Sequence, residues 1–148
     1  MQAIIFIGIQ ATGKSTFYKT HFFNSHIRIS LDLLNTRNKE SRFLETCMAT
    51  HSKFVVDNTN PTRLDREKYI AMARANNYTI TGYYFSSSIN EALERNAQRT
   101  GKEKVPDAGI RGGYAKLEIP QMDEGFDELY FVKTTESGFT VESWKNEV

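Results

Sequence analysis

Ala3-Ile4-Ile5-Phe6-Ile7-Gly8-Ile9-Gln10-Ala11-Thr12-Gly13-Lys14-Ser15 decides how this chain is read. Residues 3–7 form a continuous apolar run with β-branched side chains, which suits a strand buried on both faces of a parallel sheet. Gly8 to Ser15 then fits G-x-x-x-x-G-K-[ST]. In such a loop, successive backbone N–H groups and the N-terminus of the following helix face phosphate oxygens, and the glycines permit turns that a side chain would obstruct. Lys14 adds a point charge at the β and γ phosphates, and the Ser15 hydroxyl is a ligand for Mg²⁺. A strand before the loop and a helix after it supply the context that the mechanism requires. The stretch predicts binding of ATP or GTP.

Outward from the loop, a helical period begins at Ser15 and puts Phe17, Tyr18, His21 and Phe22 on one face, so His21 reads as a wall residue and not a ligand. Residues 27–30 read as a second strand ending at Asp32, and residues 38–50 as a helix through Phe43, Leu44 and Cys47. Phe54-Val55-Val56 is a third strand ending at Asp57. Asn60-Pro61 reads as an N-cap with proline at the first helical position, opening a helix that runs to Asn76-Asn77. Residues 78–85 make a fourth strand, and Ser88 with Glu91 has the spacing of a capping box before the helix of Ala92, Leu93 and Ala97. The polar, basic stretch 100–104 predicts a mobile loop.

A further helix over 107–117 contains Gly112-Gly113, each costing ~1 kcal/mol against alanine. The pair marks either a break or close approach to a ligand. Leu129 to Val132 is a fifth strand, and Ser137-Gly138 before Phe139 to Val141 predicts a terminal antiparallel edge strand. This alternation describes an α/β chain: one domain over residues 1–148, with a five-stranded, mainly parallel sheet covered by helices on both faces. Ligands bind at the carboxyl ends of the strands in such sheets, where the loop after the first strand meets Asp32 and Asp57.

Composition agrees with one globular domain: 148 residues, 39% hydrophobic and 25% charged, which excludes a disordered tail, a collagen or a coiled coil. The net charge of +1 hides an asymmetry. Residues 1–117 carry 17 basic and 10 acidic groups, a net of +7, and residues 118–148 carry 2 and 8, a net of −6. A polyanion therefore has a basic face to find, with Arg37, Lys39, Arg42, Arg63 and Arg66 as its expected contacts near the strand ends. The single cysteine, Cys47, makes no internal disulfide, supplies no multi-cysteine zinc site and reads as a small apolar residue on a helix. The longest apolar run, Ala3 to Ile9, is far shorter than the ~20 residues that span a bilayer, and no signal-peptide pattern precedes it. A cytoplasmic protein without membrane association is expected.

Three further positions carry chemistry. Asp57, at the end of an apolar strand, has the position of a Walker-B aspartate that holds a water on Mg²⁺, although an aspartate after a strand is also a turn former. Asp32 reads as a general base for an attacking hydroxyl or as a helix N-cap. Arg95 and Arg99 are four apart, hence on one helix face, and form either a solvated basic face or an arginine lid, over about residues 95–106, for the transferred phosphate.

Taken in order, the loop Gly8 to Thr16, Ser30-Leu31-Asp32, Val55-Val56-Asp57-Asn58-Thr59-Asn60-Pro61, Arg95-Asn96 with Arg99, and Val105-Pro106 with Ile110 and Tyr114 resemble the kinase module of polynucleotide 5′-kinases, from about residue 3 to residue 132. Asp-Asn-Thr-Asn-Pro after a strand is the most specific element beyond the loop. The resemblance implies a P-loop NTPase fold, with ATP bound by Gly8, Ala11, Thr12, Gly13, Lys14, Ser15 and Thr16, and Mg²⁺ by Ser15 and Asp57. It also implies Asp32 as general base on a 5′-hydroxyl of DNA or RNA, Arg95 and Arg99 as clamps on the phosphates, and end-processing proteins as partners. Ala11 stands where many relatives have glycine and is expected at negative φ. Asn35 stands where the phage member has an arginine for the substrate phosphate, and Arg37 lies two residues on as a substitute. The same loop, base and lid also suit a kinase for a small metabolite or nucleoside, or an ATP-binding module without transfer.

Overall fold

The computed structural model describes residues 1–86 and 88–144. Along the chain run β1 (Gln2–Ile7), α1 (Lys14–His21), β2 (Ile27–Ile29), α2 (Leu31–Leu34), α3 (Arg37–Thr50), β3 (Phe54–Val56), α4 (Arg63–Ala75), β4 (Thr79–Ser86), α5 (Ile89–Ala97), α6 (Asp107–Lys116), β5 (Glu128–Thr135) and β6 (Gly138–Ser143). The strands form one sheet in the order β2-β3-β1-β4-β5-β6. β1 to β5 pair in parallel and β6 closes the edge antiparallel to β5, as the sequence predicts.

β1 lies between β3 and β4, and its side chains alternate between the two faces. Ala3, Ile5 and Ile7 pack with Phe54, Val56 and Ile80 of the neighbouring strands and with Leu44, Cys47, Tyr69, Ile70 and Ala73 of α3 and α4. Ile4 and Phe6 face the other way, onto Val55, Phe85, Val132 and the α1 residues Phe17 and Tyr18. The Phe6 ring meets Phe85 edge-on at 4.9 Å and Phe17 at 5.9 Å. Each such side chain contributes ~1.5–3 kcal/mol by burial, so the loop that follows β1 springs from a strand held on both faces.

Two local expectations change. The helix after the third strand opens at Arg63 with Thr62 as N-cap, in a reciprocal capping box with Asp65, and not at Pro61. Asn60 is engaged elsewhere, for at φ 44 it is buried and its Nδ2 donates to the Phe6 carbonyl at 2.7 Å, closing the end of β1. Residues 101–103 wind into a single 3₁₀ turn. α6 runs uninterrupted through Gly112 and Gly113.

His21 is exposed on α1, its ring 4.3 Å from that of Phe17. Cys47 is buried on α3, and burial pushes its thiol above the usual range. Among the described residues no helix is long and apolar enough to cross a membrane.

Candidate active site

Gly13 caps α1 at φ 92, and a Cβ there would come within 2.9 Å of the Phe139 ring. The hydroxyl of Thr134 donates to the Thr12 carbonyl at 3.1 Å, so the hairpin of β5 and β6 braces the loop from outside. Gly8 is required for a different reason, since a Cβ would meet Phe85 Cβ and its carbonyl oxygen at 3.0 Å. Ala11 corrects an expectation: it lies at φ 64, in the left-handed region, which costs an L-residue of order 1 kcal/mol. Its methyl is buried in a small cluster with Ile9, Ala92 and Ile110, which offsets that strain. Gly113 of α6 approaches the same loop, for a Cβ there would lie 3.0 Å from Gln10 Oε1, whereas one at Gly112 would meet open space. The glycine pair thus marks no break, and its second member closely approaches the loop that lines the cleft.

Lys14 Nζ donates to the carbonyls of Gly8 at 2.9 Å and Ile9 at 2.7 Å. Burial pushes its amine down to about 8, a fall that the Asp57 carboxylate opposes, the Arg99 guanidinium reinforces and Asp32 opposes. A cation held under this strain gains from an anion placed beside it.

Across the cleft, Asp57 follows β3 and its Oδ2 accepts from the Ser15 hydroxyl at 3.3 Å. Arg28, on β2, donates to the same oxygen from Nε at 2.9 Å and to Ser15 Oγ from Nη2 at 3.0 Å. Sequence reasoning missed Arg28, although the alternation Ile27-Arg28-Ile29 already sets it on the opposite face from its neighbours. Asp32 sits in the first turn of α2, whose N-cap is Ser30, so the reading of Asp32 as a cap is set aside. Ser30 gives that turn no side-chain bond, and the amide of Asn58 serves in its place: Asn58 Oδ1 accepts from Leu31 N at 2.9 Å.

These walls bound a cleft of about 480 Å³. Gln10 to Thr16 line one side, Asp32, Arg37, Asp57 and Asn58 to Pro61 line another, and Arg99, Lys102 and Glu103 of the turn after α5 also face it. Of the residues expected to bind ATP or Mg²⁺ or to act in catalysis, Gly8 and Arg95 are not in this lining. Gly8 supports Lys14, and Arg95 Nη1 donates to the Ala11 carbonyl at 3.0 Å, gripping the loop's backbone. Arg99 is not on the helix face of Arg95, because α5 ends at Ala97; its Nη1 donates to the Glu103 carbonyl at 3.1 Å. One expected polyanion contact is structural instead, and another is paired at the surface. Arg66 is fully buried against Glu124, at 2.7 and 3.0 Å, with Nη1 on the Asn60 carbonyl. Arg63 pairs with Asp123 at 3.0 Å. Among the described residues no group of three His, Cys, Asp or Glu side chains is placed to hold a metal.

Residues 34–120 match the family model described as the AAA domain, which is more than half of the chain. The chain belongs to the AAA domain family. This AAA domain is 24% identical over 132 residues to the bifunctional polynucleotide phosphatase/kinase of Schizosaccharomyces pombe, and 27% identical over 135 residues to a putative bifunctional polynucleotide phosphatase/kinase of Acanthamoeba polyphaga mimivirus. Each match takes in 86% of this chain and 32% of the relative, so the AAA domain spans about a third of the length of these curated relatives. Among solved structures, a gluconokinase from Sinorhizobium meliloti superposes with a TM-score of 0.64 at 18% identity, over 91% of this chain and 83% of its own. This AAA domain and that gluconokinase share a fold.

Proposed function

We propose that this chain is an ATP-dependent phosphotransferase that moves the γ-phosphoryl group to the 5′-hydroxyl end of a polynucleotide. The observation that carries the reading is the meeting, in one cleft, of the loop bearing Lys14 and of the Asp32 carboxylate on the α2 turn, with Arg37 in the same lining. Asp32 takes the proton of the acceptor hydroxyl, its oxygen attacks the γ phosphorus, and the bond to the β–γ bridging oxygen breaks to leave ADP. Lys14 and Arg99 offer donors to the charge that spreads over the transferring group. Arg95 acts on the loop from behind, through the Ala11 carbonyl.

Ser15 Oγ and Asp57 Oδ2 are hard oxygen donors 3.3 Å apart at the end of the loop, a pair that fits Mg²⁺ completed by phosphate oxygens and water. When bound, Mg²⁺ neutralises charge on the β and γ phosphates. The sequence relationship to two proteins named polynucleotide phosphatase/kinase supports a polynucleotide as acceptor.

The test is transfer of label from γ-labelled ATP to 5′-hydroxyl oligonucleotides of DNA and RNA beside a panel of nucleosides and sugars. Label on the oligonucleotide 5′ end is the expected result. Label confined to a nucleoside or sugar replaces the acceptor with a metabolite, and no transfer to any hydroxyl overturns the reading.

A further inference from the structure

Glu40 stands on α3 with a side chain only 2% exposed, and it is absent from the lining of the cleft. A carboxylate in such a place is costly unless hydrogen-bonded on all sides, and a leucine would fill the space without that cost. The bonds it does make are directional. Oε1 accepts from the Tyr69 hydroxyl at 2.8 Å and from Arg37 Nη1 at 3.1 Å, and Oε2 accepts from Asn58 Nδ2 at 2.9 Å. Lys68 Nζ adds a longer ion pair at 3.9 Å. Burial and the bond to Glu40 both push the Tyr69 phenol up, so it remains a donor to the carboxylate.

Asn58 transmits this arrangement. An amide has one donating end and one accepting end, and the Glu40 carboxylate can only receive the donating one. Oδ1 is thereby turned to the Leu31 N–H, at the start of the turn that carries Asp32, where Ser30 supplies no cap. The same carboxylate holds Arg37, which lines the same cleft as Asp32. We infer that Glu40 is a positioning residue for the acceptor half of the site, setting the Asp32 turn through the Asn58 amide and Arg37 through a direct ion pair. The inference rests on the proposed role of Asp32 as base.

Two variants test it. E40Q keeps an acceptor for Tyr69 but turns an N–H₂ toward the N–H₂ of Asn58, so the Asn58 amide either flips away from Leu31 or loses its partner. E40Q/N58D restores the match, since the carboxylate introduced at position 58 accepts from both the position-40 amide and the Leu31 N–H. Expected for E40Q is a fall in acceptor kcat/KM of roughly tenfold or more, with KM for ATP within about twofold of wild type, because a displaced base affects only the acceptor step. Hydrogen exchange at the Leu31 amide should accelerate in E40Q and slow again in the double variant, with acceptor kcat/KM recovering most of its loss. Unchanged acceptor kinetics in E40Q overturns the inference, as does an equal loss for ATP and acceptor, or a folded double variant that recovers neither readout. The kinetics use whichever hydroxyl takes label from the wild type, so replacement of the polynucleotide by a metabolite leaves the test intact. If no hydroxyl takes label, the proposed function has failed, and the Leu31 exchange pattern alone decides the relay.

Discussion

Arg28 Nε lies 2.9 Å from Asp57 Oδ2, and its Nη2 reaches Ser15 Oγ, so one guanidinium bridges the two oxygens proposed as Mg²⁺ ligands. The Asp57 side chain is 2% exposed and Arg28 26%, so the arginine neutralises a buried charge from a half-open position. Mg²⁺ brought with a nucleotide would compete for the same oxygens. Arg28→Ala is therefore expected to destabilise the nucleotide-free protein by about 1–3 kcal/mol, the range for breaking a buried pair reduced for the partner's exposure. That is a fall in Tm of several degrees at this chain length. In saturating Mg²⁺ and ADP the deficit should narrow, because the ion takes over the neutralisation. Thermal unfolding with and without Mg²⁺ and ADP checks this; an equal deficit in both conditions sinks the competition.

Asp32→Asn should leave ATP binding near wild type and lower kcat, since the carboxylate acts on the acceptor. General-base contributions run ~10²–10⁴-fold. A steady-state comparison of KM for ATP and kcat decides it. A large rise in KM with kcat retained assigns Asp32 to the nucleotide instead.

The adjacent glycines of α6 should part company. Gly112→Ala places its methyl in open space and should stabilise the helix by about 0.5–1 kcal/mol, the propensity gain alone. Gly113→Ala pushes on Gln10 Oε1, 3.0 Å away, and Gln10 belongs to the phosphate loop. Its expected signature is weaker ATP binding with little or no gain in Tm. Equal stabilisation by both, with ATP affinity unchanged in both, refutes the close approach.

The contrast between what was legible and what was not follows the range of the interactions. The loop between β1 and α1 is a local object: Gly8, Gly13, Lys14 and Ser15 lie within eight residues at a strand end and a helix start, so their types and spacing suffice to place it. The parallel sheet was legible for a similar reason, because strands buried on both faces read as apolar runs. Arg28 and Arg66 were opaque because their partners, Asp57 and Glu124, lie 29 and 58 residues away. A surface-ready arginine and a buried paired one look alike in sequence. The start of α4 was misplaced because Asn60 and Thr62 are both good caps, and the demand of the Phe6 carbonyl for Asn60 is a tertiary fact. Ala11 took positive φ because its methyl is wanted in a cluster with residues of α5 and α6.

His26 supplies a dependence of stability on pH. Its ring is buried, with Nε2 2.8 Å from Gln2 Oε1 and Nδ1 2.7 Å from Ser25 Oγ, and burial together with the nearby Lys53 pushes its pKa below the usual 6.5. The unfolded chain then binds a proton at a pH where the folded chain does not. Stability contributed by neutral His26 is complete above about 6.5 and declines as pH falls from there through the lower folded value. His26→Gln, measured by denaturant unfolding between pH 7.5 and 5, should flatten that part of the decline. An identical slope in the variant removes His26 as its source.

Salt and acceptor length give the sharpest separation of a polynucleotide from a metabolite. A strand lying on the basic body releases counterions on binding, so its KM should rise with salt at a log–log slope of about 0.7 per phosphate neutralised. A nucleoside has no phosphate to neutralise and should respond little. Arg66 drops out of the expected contacts because it is fully buried, whereas Arg63 stays half-exposed beside Asp123, whose carboxylate opposes a phosphate there. Arg37, which lines the cleft, remains together with Lys39 and Arg42, all three exposed on α3. Lys39→Gln and Arg42→Gln should each reduce the slope for a long 5′-hydroxyl strand, by up to about 0.7 where the side chain neutralises a phosphate, and leave a nucleoside's KM unmoved. Measuring a nucleoside, a dinucleotide and a longer strand between low and moderate salt checks both statements. Equal efficiency at all three lengths, with no slope for the variants to reduce, would hand the cleft to a small hydroxyl acceptor.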